Sequence, residues 1–173
     1  MPLRLLLDIV LLPVVGLATL WVRRREVAIL RAGVALTPGE ITLARTLGVR
    51  APQRVRVMAV PRVPLPLHHV CQVLRRAGCL PRHIAGMTLG YGIVLRADCA
   101  HNAALLAHEL VHVRQYERLG GVSGFLRQYL SECVWPGYPY GALEIEARAG
   151  EIRAGEGSTR AVDVIPYTSR AVD

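Results

Sequence analysis

Residues 105–115 read LLAHELVHVRQ, and the spacing of His108, Glu109 and His112 constrains this chain more than any other feature. Two histidines four positions apart share a direction on an α-helix, where they are separated by about 40° around the axis and about 6 Å along it. Both imidazoles then reach one point, and Glu109 lies about 60° from His112 on the same side. The neighbouring residues agree with a helix. Leu106, Leu110 and Val113 make an apolar stripe beside the site face, which Leu105 and Tyr116 complete. Ala103, Ala107, Arg114 and Arg118 are expected on a solvated edge. Asn102 stands where a helix cap belongs, and Gly120 and Gly121 stop the helix after Leu119.

Paired imidazoles on one helix face suit a divalent cation, and a catalytic zinc needs a third protein ligand and one open position. The helix expected in ALEIEARAGEIRAG offers Glu144 and Glu146. Glu109 is placed to take the proton of an attacking water without being a ligand. Tyr138 and Tyr140, in the WPGYPYG loop before that helix, are candidate oxyanion donors, or pack beside the prolines. His68 and His69 are adjacent, so on a helix they diverge by about 100° and read as surface or cap residues.

The remaining chain supplies the frame. Thr37, Pro38 and Glu40 form a capping box with Pro at the first helical position, and Gly48 closes that helix. Val55, Val57 and Ala59 alternate with Arg54, Arg56 and Met58 as in a half-buried strand. A short helix is expected over 67–77, and RHIAGMTLGYGIVLR reads as strand material turning near Gly90 or Gly92. Ser123 is expected to cap a helix over SGFLRQYLSEC. Cys71, Cys79, Cys99 and Cys133 show no CxxC spacing and read as small buried thiols. The repeated RAVD at 160–163 and 170–173 is too short to be a structural repeat, and a frayed tail is expected there.

At the amino terminus an apolar run from Leu5 to Val22, interrupted by Asp8 and Pro13, precedes Arg23, Arg24 and Arg25. Trp21 at an interface position and the arginines as a stop suggest a membrane anchor, with the domain facing the cytoplasm. An export signal, which would place the domain in the periplasm, or a buried core helix are the alternatives. The net charge of +8 is carried by arginines alone, and with one Phe and two Trp no nucleic-acid module is recognisable. No nucleic-acid partner is expected.

RVRVMAV, then GMTLGYGIVLRADC, then LLAHELVHVRQ resemble, over roughly residues 54 to 116, the zinc-metallopeptidase domain found in proteins of extracellular contractile injection systems, a HExxH zincin of the glutamate-zincin type. The resemblance implies that Thr88, Gly90 and Ile93 belong to the strand bordering the cleft. Ligand helices of that superfamily often place the glutamate three residues before an alanine, which selects Glu144, three before Ala147, with Glu146 in reserve. Arg148 stands where many relatives carry Asp, Arg114 replaces an apolar residue, and the hydrophobic leader is not typical of the family.

These readings imply an α+β protein, a minimal zincin-like domain with a small sheet packed on the HExxH helix and a second ligand-bearing helix. Residues 1–25 form the hydrophobic segment, 26–154 the domain and 155–173 a flexible tail. The expected activity is zinc-dependent peptide hydrolysis, with Glu109 as base and a peptide or protein as substrate. The alternative is an inactive zinc-binding module that docks a partner or a membrane. An integral helix bundle would need more spans than the one visible.

Overall fold

The structure, a computed structural model, describes residues 2–65, 84–137 and 139–157. The helix expected over 67–77, with His68, His69, Cys71 and Cys79, lies outside the described residues, as do Tyr138 and the chain beyond 157. The described chain is α+β. Its first element, α1, runs from Pro2 to Ala32 as one helix. No glycine or proline follows Gly16 until Gly33, so the arginine triplet, expected to end the segment at residue 25, lies within the helix. No helix among the described residues is long and apolar enough to cross a membrane.

After β1 (Val34–Ala35), α2 spans Pro38–Thr46 with the expected capping box in place. The Thr37 amide donates to the Glu40 carboxylate at 2.7 Å, and the Glu40 amide donates to the Thr37 hydroxyl at 3.2 Å. The sheet continues with β2 (Arg56–Val60), β3 (Gly86–Leu89) and β4 (Gly92–Arg96), in the order β1-β2-β4-β3. β2 and β4 are parallel, whereas β3 folds back on β4 through a turn at Gly90 and Tyr91, where Gly90 has φ 68°. Among the described residues, β3 therefore forms one edge of the sheet.

Alternation sorts the strand side chains onto two faces. Val57, Ala59, Ile93 and Leu95 join a core with α2 and with α3 (Ala103–Arg118), the HExxH helix. Leu89 and Val94 face the other way and pack with Val22 and Ile29 of α1 and Phe125 of α4 (Val122–Glu132). α4 begins one residue before Ser123, which is inside the helix and caps nothing. Gly121 occupies the cap position with φ 98°, a conformation open to glycine, and Val122 is buried. The last element, α5, spans Ala142–Gly157, three residues into the segment expected to be a tail. Cys99 and Cys133 are half-buried.

Candidate metal centre

Among the described residues, α3 and α5 make the most extensive contact between two elements. Small residues permit it: Ala107 and Ala147 have no exposed surface, and a Cβ at Gly150 would lie 2.5 Å from the Val111 side chain. This packing corrects the expected solvated edge of α3. Ala107 is fully covered, and half-buried Arg114 meets Glu146 of α5 and donates to the Leu47 carbonyl at 3.0 Å, whereas Arg118 is exposed as expected and pairs with the same Glu146. Leu105 is half-buried and packs against the apolar core. Tyr116 reaches the site face, and its hydroxyl donates to the Thr88 carbonyl at 3.2 Å.

Across the same contact, His108, His112 and Glu144 each present one ligand atom within 4.8 Å of the others, so they could hold a metal ion. The two Nε2 atoms are 3.1 Å apart. The Glu144 carboxylate stands 3.5 Å from His108 Nε2 and 3.7 Å from His112 Nε2. Donors about 2.0–2.1 Å from a tetrahedral ion are about 3.3 Å from one another, a separation the imidazole pair nearly meets, whereas the carboxylate faces His108 with Oε2 and His112 with Oε1 and must turn to bring one oxygen to both. Glu146, the reserve ligand, is turned toward the arginines and Gln115. Glu144 is the carboxylate brought to the histidines.

Each ligand candidate is held from behind. His108 Nδ1 lies 2.6 Å from a Glu151 carboxylate oxygen, and His112 Nδ1 lies 2.8 Å from Gln115 Oε1. The amide of Gln115 can face only one way, because its nitrogen donates to the Leu143 carbonyl at 3.0 Å and to Glu146 at 2.8 Å. His112 therefore donates from Nδ1 and keeps Nε2 for the centre, the arrangement that orients metal-binding imidazoles. Tyr129 of α4 donates to Glu144 at 2.8 Å.

Glu109 is buried on the flank of this cluster. The Thr88 hydroxyl on β3 lies 2.6 Å from its carboxylate and 3.0 Å from its backbone carbonyl. Its other oxygen presses on the β3 backbone, where a Cβ at Gly86 would come within 2.5 Å. Burial raises the Glu109 pKa, opposed by His112, His108 and the Thr88 hydroxyl. Burial also works to raise that of Glu144, but hydrogen bonds from His108 and Tyr129 and the nearby imidazoles outweigh it and bring it below the usual range.

For His108, burial disfavours the cation, yet the Glu144 hydrogen bond, the charges of Glu109 and Glu144, and Glu151 outweigh it and raise the pKa to about 9. Between neutrality and that value the metal-free protein carries a proton on His108, and a ligating imidazole must give it up. Binding of a divalent cation at pH 7.5 is expected to release close to one proton per site, and affinity should fall up to tenfold per pH unit as pH drops below about 9. Calorimetry in buffers of different ionisation enthalpy measures the release; zero release at pH 7.5 would contradict a neutral His108 ligand.

Of the other sequence candidates, Tyr140 stands 68% exposed in the loop before α5. Thr88 touches Glu109, while Gly90 and Ile93 shape the hairpin and the core behind it. Arg148 donates to the Pro139 carbonyl at 2.5 Å and so ties down that loop. Glu151, Gln115, Tyr129 and Gly86 had no assigned role in the sequence. Glu151 carries a legible signal, since seven residues return to within about 20° on a helix and place it on the Glu144 face two turns on. No family model, curated protein or solved structure matches the chain.

Proposed function

We propose that this chain is a zinc-dependent peptidase of the glutamate-zincin kind, with His108, His112 and Glu144 as ligands and Glu109 as general base. The observation that supports it most is the convergence of three donor atoms beside a buried carboxylate that is not one of them. Two imidazoles and one carboxylate favour zinc over calcium or magnesium, which take oxygen ligands. When bound, zinc supplies Lewis acidity that polarises a scissile carbonyl and acidifies water.

The chain's own groups do the rest. Glu109, its pKa raised by burial, accepts the proton of the attacking water and returns it to the leaving amine. Thr88 and the space at Gly86 hold its carboxylate in place. β3 pairs on one side with β4 and lies at the sheet edge, so an extended peptide added to it would run past Glu109. Tyr140 is the described candidate for a donor to the oxyanion, with Tyr138 beside it in sequence.

The test is incubation of the zinc-loaded protein with a mixed peptide library read by mass spectrometry. Cleavage that disappears with a chelator and returns with zinc is the expected result. An intact library in the presence of one bound zinc per chain overturns the peptidase reading in favour of a non-catalytic zinc module.

A further inference from the structure

The described surface of α1 is divided by face. Val15, Val22 and Ile29, spaced by seven residues, are buried, whereas Leu12, Val14, Leu17, Leu20 and Val27 stand 45–66% exposed. Arg23, Arg24 and Arg25 follow the first four of these, all exposed and fanned around the helix at about 100° steps. Trp21 lies just ahead of them, with the Arg25 guanidinium 5.9 Å from its ring.

Exposed leucines ending in a tryptophan and a ring of arginines match the layers of a lipid surface. Acyl chains cover the leucines, the indole sits at headgroup depth, and guanidinium groups meet phosphates. The charge of +8 favours anionic lipid further. The other end of the same helix is built into the hairpin that holds Glu109. Glu26 accepts from the Tyr91 amide at 2.9 Å, a Cβ at Gly90 would strike the Glu26 carboxylate, and Ile29 packs on Gly92. Trp21 and Glu26 are separated by about 7.5 Å of helical rise.

We propose that the amino-terminal part of α1 seats the protein on an anionic lipid surface as a rigid extension of the β3–β4 hairpin, so that the candidate metal centre is held at a fixed, short distance from the lipid headgroups. This inference goes beyond the peptidase reading, and its lipid-binding half does not need it.

The experiment is sedimentation of the full chain with phosphatidylcholine vesicles prepared with and without phosphatidylglycerol. A Trp135→Phe variant leaves Trp21 as the single tryptophan and reports depth through quenching by brominated acyl chains. Expected results are binding to the anionic vesicles alone, quenching of Trp21, and loss of both in Leu17→Glu/Leu20→Glu. Replacing the three arginines by serine should weaken partition about 10²-fold. These positions are exposed, so circular dichroism of the variants should match the parent, and hydrolysis of a soluble peptide, if present, should be unchanged. Three outcomes overturn the proposal: no sedimentation, equal binding to neutral vesicles, or a lipid-free dimer that Leu17→Glu/Leu20→Glu dissolves. A protein that binds vesicles but cleaves nothing would refute the peptidase reading and leave the seating intact.

Discussion

Glu109→Gln is expected to keep one zinc per chain and to lower peptide cleavage by about 10²-fold or more. The substitution preserves size and an acceptor for the Thr88 hydroxyl, but an amide cannot take and return a proton. Zinc should stay because Glu109 is not among the three converging donors. Gly86→Ala approaches the same group from the strand. Its methyl would lie 2.5 Å from a Glu109 oxygen, so the carboxylate must move although its chemistry is unchanged. A drop in kcat with zinc content retained is expected there too, measured beside metal content on the same preparation. Wild-type turnover in the Gln variant would place the base elsewhere.

Glu144→Ala should separate from Glu146→Ala by its effect on the metal. Removing Glu144 deletes one of three ligand donors, and zinc affinity is expected to fall more than the 10- to 100-fold typical of losing a supporting partner, the range expected for Glu151→Ala. Glu146 instead holds Arg114 and Arg118 and fixes the Gln115 amide. Its removal should lower the melting temperature, because half-buried Arg114 loses its carboxylate, and weaken zinc by about tenfold through the loosened Gln115–His112 contact. Competition against a chromophoric chelator, paired with thermal melts, measures both. A Glu146→Ala protein that is folded yet as depleted of zinc as Glu144→Ala would reverse the assignment.

The parts of the fold legible in the sequence are those with local causes. Asn102 caps α3, Thr37 and Glu40 close the capping box on α2, and Val57 and Ala59 alternate inward because each signal is complete within a few residues. The pair His108 and His112 belongs with these, being one turn of one helix. Selecting Glu144 over Glu146 needed a family pattern, since two positions apart on a helix point about 160° away from each other and only the partner helix decides which one meets the histidines.

Where the reading missed, the cause is tertiary. Ala107 on a face with arginines suits either solvent or a close helix contact, and Ala147 and Gly150 on α5 make it the latter. Arg148 drew attention as a missing acid, while Glu151, one turn further along, supplies the carboxylate to His108. Tyr129 reaches Glu144 only because α4 lies beside the site, which nothing near residue 129 announces. The arginines at 23–25 suggested an end, yet helix-forming residues carry α1 through them to Ala32.

X-ray absorption at the zinc edge of the metal-loaded protein tests the central claim most directly. Two imidazoles and oxygen donors alone at about 2.0–2.2 Å, with imidazole scattering reduced in His112→Ala, are the predicted result. A sulfur shell at about 2.3 Å, or a spectrum unchanged by loss of His112, would contradict it.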